Sequence, residues 1–382
     1  MIRFRFFAMV TAFVLLCCLP LFPAYAEGEP ETSAAAFVLM DAQSGQVIAG
    51  KNAEEKRPMA STTKIMTTLL TLESGDLDTP FTVDPTAIHV EGSSMGLQDG
   101  DTVTKRALCV GMLLPSGNDA ANAAAVAVAG NVQTFLDRMN ERAQAIGMTH
   151  TFFASPSGLD APGHGSSAHD MALLAREALH NPDFAAICSQ PSMSIRYGNP
   201  PYLRTLKNTN KLLTTDDRVI GVKTGFTDAA GRCLVSAATH EGKTLICVTL
   251  SDRNDWTDHT ALYDYGFRLA ETYAVPVPKD LEIAVEGGEA QRVRVYAKEP
   301  LVLTAWRGVP PQYEQHVILP PFLYAPVTKD TVIGELIYTN GKTELGRLPL
   351  YAAEETAYLE KAVENSKFAI ILNWVKEKLH AV

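Results

Sequence analysis

Segments that favour β-strands stand at both ends of residues 32–272, and helical segments fill the middle. Residues 33–50 predict a β-hairpin, because two apolar runs flank the turn-forming stretch DAQSG. Near the other end, GVKTGF and CLVSAATHEGKTLICVTL favour strands joined by a short polar turn. Strands from both ends can form one antiparallel sheet covered by the helices between them, which predicts an α+β domain. The helices are expected at residues 61–74, 104–130 with a break at Pro115, 132–147 and 168–180.

The chain changes character after ETYAVPVPKD, a proline-bearing stretch that we interpret as a linker. Residues 276–352 alternate short apolar and polar runs and contain an Asn340-Gly341 turn, so they predict a small all-β C-terminal domain. Residues 353–382 follow the pattern of an amphipathic helix that is too polar and short to span a bilayer. This helix either docks on the rest of the protein or lies in a membrane interface. Its apolar face consists of Phe368, Ile371, Leu372, Val375 and Leu379.

Residues 1–26 are typical of a secretory signal peptide. Arg3 and Arg5 precede an apolar stretch, and AYA supplies small residues before a cleavage point. An uncleaved anchor helix, or lipid attachment at Cys17 or Cys18, is the alternative. We expect the mature chain, from residue 27 onward, to be exported.

The charge and the cysteines exclude some classes of function. A formal net charge of −10 argues against a nucleic-acid partner. The cysteines outside residues 1–26 form no CxxC pair, so we expect buried thiols or a single disulfide and no cysteine metal site. These cysteines are Cys109, Cys188, Cys233 and Cys247.

One histidine arrangement invites a test for catalytic zinc. HGSSAHD contains His164, His169 and Asp170, but zinc hydrolases need nitrogen and carboxylate ligands that converge on one ion, and the sequence has no helical HExxH. We therefore expect neither a metal nor another cofactor in the active site.

A serine and a lysine at the head of the first helix are the first candidate catalytic pair. In MASTTKIMTTLL, Lys64 follows Ser61 by one helical turn and lies on the same face. A serine hydroxyl needs a nearby base to become a nucleophile. Lys64 can be that base if burial and the charge of Lys223 lower its pKa.

Two further motifs turn this weak signal into a specific one. PSGND supplies Ser116 and Asn118, and VKTGFT supplies Lys223, Thr224 and Gly225 on a strand. Ser116 can relay a proton to a leaving amine with Lys223 steering it, and Asn118 can orient Lys64. Thr224 can bind an anion, and glycine lets a substrate strand lie close. The backbone N–H groups of Ser61 and Phe226 are the expected oxyanion hole.

With these motifs in order, the chain resembles the low-molecular-mass penicillin-binding proteins that act as D-alanyl-D-alanine carboxypeptidases. EGSSMGLQDGD, LCVGMLLPSGNDAANAAAVAVAG, GMTHTFFASPSGLD, NTNKLL and GVKTGFTDAAGRCLVSA resemble family segments in the same order. The resemblance implies a β-lactamase/transpeptidase-like fold, a β-rich second domain and a terminal membrane anchor. It also implies location on the extracytoplasmic face of the bacterial cytoplasmic membrane.

The resemblance also implies the chemistry. Ser61 would form an acyl-enzyme with a peptidoglycan stem peptide, Lys64 would be the general base, and β-lactam antibiotics would acylate the same serine. Some family members have an arginine where Thr209 stands, which leaves the group that meets the substrate's terminal carboxylate open. Arg218 and Arg232 are candidates.

Three alternatives remain beside this prediction. A serine β-lactamase shares the motifs but needs a glutamate-held water, and Glu141 is not in a suitable segment. A non-catalytic cell-wall binding protein on the same fold would usually show a broken motif. A zinc carboxypeptidase would keep activity without Ser61.

Overall fold

The computed structural model describes residues 28–341 and 343–359, so the predicted signal peptide and most of the predicted terminal helix lie outside the described residues. Its helices are α1 (Lys64–Glu73), α2 (Pro85–Ile88), α3 (Lys105–Leu113), α4 (Asn118–Ala129), α5 (Val132–Ile146), α6 (Ala168–Leu179), α7 (Pro182–Cys188), α8 (Leu212–Thr215) and α9 (Asp255–Arg268). Within the described residues, no helix is both long and apolar enough to cross a bilayer.

The strands alternate with these helices in the first two thirds of the chain and dominate the last third. They are β1 (Ala36–Asp41), β2 (Val47–Lys51), β3 (Phe81–Thr82), β4 (Thr102–Val103), β5 (Ser192–Gly198), β6 (Pro201–Lys207), β7 (Val219–Thr227), β8 (Gly231–His240), β9 (Lys243–Leu250), β10 (Ala270–Ala274), β11 (Glu282–Glu286), β12 (Arg292–Tyr296), β13 (Val302–Trp306), β14 (Glu314–Ile318), β15 (Leu323–Tyr324), β16 (Val332–Asn340) and β17 (Thr343–Ala352).

The main sheet has the order β2-β1-β9-β8-β7, and all its neighbours are antiparallel. Strand β1 is buried on both faces, and alternate side chains enter different cores. Val38 and Met40 pack into the core that contains α1 and α6, whereas Phe37 and Leu39 pack into the core that contains α9. The predicted antiparallel sheet covered by helices is confirmed.

Helix α1 lies in the centre of the larger core, with eight of its ten residues buried. Its threonines are accommodated by hydrogen bonds: Thr67 Oγ1 donates to the carbonyl of Pro156 and Thr71 Oγ1 to that of Thr67. The predicted helix over 61–74 begins differently, because residues Ala60–Thr63 form a 3₁₀ turn. The break predicted at Pro115 is present, since α3 ends at Leu113 and α4 begins at Asn118.

Some elements differ from the sequence prediction. The stretch ETYAVPVPKD is not wholly a linker, because β10 pairs with β13 along its full length. A small sheet of order β3-β4-β5-β6 also forms beside the helices, and its strands β3 and β4 are only two residues long. Local patterns carry too little signal to predict strands of that length.

The C-terminal part is the predicted all-β unit, with a sheet of order β14-β16-β17-β12-β11-β15 around its own core. The predicted helix does not begin at residue 353. Instead Thr356 pairs with Val327 and Tyr358 with Gly288, so residues 353–359 are not helical and belong to the β-domain. The rest of that predicted helix, residues 360–382, lies outside the described part of the chain.

Candidate active site

Ser61 lies in the 3₁₀ turn that precedes α1, against strand β7. Two glycines from distant segments make room for this turn. A Cβ on Gly225 would lie 3.0 Å from the carbonyl oxygen of Met59, and one on Gly158 would lie 2.0 Å from that of Ala60. Side chains at either position would therefore displace the turn that carries Ser61.

Lys64 is fully buried and its amine makes three contacts. Its Nζ donates to Ser61 Oγ at 2.9 Å, to Asn118 Oδ1 at 2.7 Å and to the Ser157 carbonyl at 2.6 Å. The pairing of Ser61 with Lys64 and the contact from Asn118 were both predicted. The carbonyl of Ser157 was not, because nothing in the sequence signals a backbone contact with a residue so distant in the chain.

The environment of Lys64 lowers its pKa well below the usual value for lysine. Burial is the largest cause, the positive charge of Lys223 adds to it, and Asp119 partly opposes both. Lys223 is itself buried, which lowers its pKa to about 7, and its Nζ donates to the Thr224 carbonyl at 2.9 Å. These causes, desolvation and the nearby Lys223, are the ones expected from the sequence.

The second motif is fixed by a loop that includes Ser93 and Ser94. Asn118 Nδ2 donates to the Glu91 carbonyl at 2.7 Å, which turns its Oδ1 towards Lys64. Next to it, Asp119 accepts hydrogen bonds from Ser94 Oγ and from the backbone of that loop. Asp119 belongs to the PSGND stretch, but its role as the anchor of this loop was not predicted.

The structure brings members of all three motifs to one cleft of about 320 Å³. Ser116 lines it with a positive φ of 65°, a conformation that is costly for a residue with a side chain and is typical of functional sites. The described residues that line the cleft are Ser61, Ser93, Ser116, Thr209, Lys211, Thr224, Gly225, Phe226, Arg232, Asp255 and Trp256.

The two arginines considered for the substrate carboxylate have different positions. Arg218 is not among the cleft residues and forms ion pairs with Asp216 and Asp264, both at 2.7 Å. Arg232 lines the cleft, but its Nη2 contacts both oxygens of Asp255, at 2.7 and 2.8 Å. Lys211 also lines the cleft and was not considered from the sequence.

The histidines of HGSSAHD do not converge on a shared ion position. His164 Nε2 lies 2.9 Å from Thr63 Oγ1, and its Nδ1 accepts from the backbone N–H of Ala154. Burial lowers the pKa of His164 to about 4, so the ring is neutral. His169 instead contacts Glu54.

The fold and the contact between Ser61 and Lys64 together define an active-site serine hydrolase with a lysine beside its nucleophile.

Comparison with known proteins identifies a family within this class of hydrolases. Residues 24–254 match the family model described as D-alanyl-D-alanine carboxypeptidase, and residues 276–358 match that of the penicillin-binding protein 5 C-terminal domain. The D-alanyl-D-alanine carboxypeptidase DacC of Escherichia coli K12 is 33% identical over 92% of this chain and 90% of its own length. DacF of Bacillus subtilis is 29% identical over 83% of this chain and 84% of its own length.

Comparison with a solved structure shows a similar fold. Penicillin-binding protein 5 of Haemophilus influenzae is 28% identical and aligns over 86% of this chain and 99% of its own, with a TM-score of 0.63. The chain belongs to the D-alanyl-D-alanine carboxypeptidase family. The family, the fold class and the enzyme class predicted from the three motifs are confirmed.

Proposed function

We propose that this protein removes the terminal D-alanine from peptidoglycan stem pentapeptides through an acyl-enzyme on Ser61. The observation that carries the proposal is the 2.9 Å contact between Lys64 Nζ and Ser61 Oγ at a fully buried amine. A lysine with a lowered pKa can be neutral and accept the serine proton.

The reaction divides into two steps. In the first, Ser61 Oγ attacks the carbonyl carbon of the last peptide bond while its proton passes to the amine of Lys64. The peptide bond then breaks, D-alanine leaves with a proton on its nitrogen, and an ester remains on Ser61. In the second step water hydrolyses this ester and restores the serine.

The other motif residues have supporting roles in this proposal. Ser116 relays the proton to the leaving amine, and Lys223 steers it while keeping the pKa of Lys64 low. The backbone N–H groups of Ser61 and Phe226 stabilise the oxyanion of the tetrahedral intermediate. Asn118 holds the amine of Lys64 in line with Ser61.

Incubation with a pentapeptide that ends in D-Ala-D-Ala tests the function directly, because free D-alanine should appear.

A labelled penicillin should form an ester with the enzyme that lasts for minutes or longer. Glu141 is exposed on α5 and does not line the cleft, so it is not placed to activate water for fast hydrolysis. Penicillin turnover within seconds would indicate a β-lactamase, and peptidoglycan binding without D-alanine release would indicate a non-catalytic binding protein.

Lys211 is the cation that we assign to the substrate's terminal carboxylate. Thr209 Oγ1 lies 2.7 Å from Thr224 Oγ1, so hydroxyls from two segments meet in the cleft that Lys211 also lines. The charge of Arg232 is already matched by its two contacts with Asp255. Lys211 thus replaces in function the arginine that some family members have at the position of Thr209.

Lys211→Ala should lower kcat/KM for a D-Ala-D-Ala peptide by about 10- to 100-fold, the worth of a hydrogen bond to a charged group. Lys207→Ala removes an exposed lysine that does not line the cleft and should have no such effect. With a peptide amidated at its C-terminus, wild type and Lys211→Ala should be equally slow. An equal loss with free acid and amide would rule out the carboxylate contact.

Export and membrane attachment complete the proposal. The signal-like residues 1–26 would direct the chain across the cytoplasmic membrane, and the amphipathic segment would hold it on the outer surface of that membrane.

Deleting residues 360–382 should move the protein to the soluble fraction with D-alanine release unchanged. Deleting residues 353–382 should also lower the melting temperature, because it removes the pairing of Thr356 with Val327. Unchanged membrane fractionation after the shorter deletion would contradict anchoring by this segment.

A further inference from the structure

Glu54, His150, His169 and Asp170 form a cluster outside the catalytic cleft, here called the His150 cluster. His150 Nδ1 lies 3.2 Å from Glu54 Oε2, and His169 Nδ1 lies 3.0 Å from Glu54 Oε1. The ligand atoms of Glu54, His150 and Asp170 all lie within 4.8 Å of one another. None of these four residues lines the cleft that contains Ser61.

Backbone hydrogen bonds fix the segments that carry these side chains. The N–H of His169 donates to the Ala53 carbonyl at 2.9 Å, which ties the first turn of α6 to the loop of Glu54. The N–H of His150 donates to Asp170 Oδ2 at 2.7 Å. Asp170 is 1% exposed, so its carboxylate lies beneath the more exposed Glu54 and His150 side chains.

The donor set suits a divalent transition metal. One imidazole nitrogen and two carboxylates are good ligands for zinc, and two ligands at about 2.0 Å from a tetrahedral ion lie about 3.3 Å apart. The 3.2 Å separation of His150 Nδ1 and Glu54 Oε2 is close to that value. Two carboxylates also supply the charge that balances a divalent cation.

We propose that the His150 cluster binds a divalent transition-metal ion, zinc being the best match, through His150, Glu54 and Asp170. His169 is a positioning residue: its contact with the second oxygen of Glu54 orients that carboxylate, as outer partners of metal ligands commonly do. A water molecule would complete a tetrahedral set. This metal is separate from the catalytic chemistry of Ser61, and the proposal does not rest on the proposed activity.

A bound ion would stabilise the fold by linking two segments of the chain. Glu54 lies in the loop that leads to Ser61, and His150 lies in the segment that contains Ser157, whose carbonyl accepts from Lys64. These segments already pair where the N–H of Arg57 donates to the Ser166 carbonyl at 2.8 Å. An ion between Glu54 and His150 would add a second tie, so it should stabilise the fold against heat.

Zinc binding to the chelator-treated full-length protein tests the proposal. Calorimetry should show one saturable site per chain, Zn²⁺ should raise the melting temperature, and Co²⁺ should give the visible absorption of a tetrahedral site. Glu54→Gln and His150→Ala should each weaken Zn²⁺ binding by at least about tenfold, and His169→Ala should weaken it less, as expected of an outer partner.

The matched control is His89→Ala, because His89 is also an exposed histidine paired with a carboxylate, at 2.9 Å from Asp99, but no third ligand converges on the pair within the part of the chain that the structure describes. It should leave Zn²⁺ affinity unchanged. Circular dichroism and D-alanine release, measured on each variant, establish that it is folded. Lack of saturable binding in wild type, or binding that survives both Glu54→Gln and His150→Ala, would overturn the proposal and leave the cluster as ion pairs.

Discussion

Ser61→Ala should abolish both penicillin labelling and D-alanine release, with rates lower by about four to six orders of magnitude. The alanine has no oxygen to form the acyl ester, so covalent catalysis cannot begin. The variant should remain folded, because the Oγ of Ser61 contacts Lys64 at the edge of an open cleft and contributes little to core packing.

Two measurements make the Ser61 prediction decisive. The melting temperature of Ser61→Ala should stay close to that of wild type, which separates loss of chemistry from loss of fold. A chelator should not affect D-alanine release by the wild-type enzyme. Release that survives Ser61→Ala but disappears with a chelator would point to a zinc carboxypeptidase instead.

Replacing Lys64 should slow acylation by about two to four orders of magnitude, the usual contribution of a general base. Lys64→Arg is the sharper variant, since arginine keeps the positive charge and the donors but cannot lose its proton at ordinary pH. Lys64→Met keeps a similar stem and removes the amine. Both should slow acylation to this extent, although only the methionine leaves Asn118 Oδ1 and the Ser157 carbonyl without their donor.

The dependence on pH follows from the same lysine. Only the neutral amine of Lys64 can take the serine proton, so acylation should rise as pH increases through the pKa of Lys64 and should be lost below it. Because the charge of Lys223 lowers this pKa, Lys223→Gln should move the acid limb of the acylation profile to higher pH. An unchanged acid limb in Lys223→Gln would contradict coupling between the two lysines.

The fold was predictable where local patterns are long. The hairpin of β1 and β2, the strands β7 to β9 and helices α1, α3, α4, α5 and α6 all follow from periodicity and turn residues. The prediction failed for β10, because prolines after it suggested a linker, whereas its pairing with β13 is a contact between distant segments. The non-helical course of residues 353–359 likewise depends on pairing with Val327 and Gly288.

The sequence by itself determined which serine and lysine are the candidates for nucleophile and base and which two motifs accompany them, because residue type and spacing are local properties of a chain. Only the tertiary structure decided what lowers the pKa of Lys64. Its burial, its nearness to Lys223 and its contact with the carbonyl of Ser157, 93 positions away, depend on how distant segments pack. The position of Lys211 in the cleft, and the pairing of Arg232 with Asp255, likewise depend on contacts between distant segments.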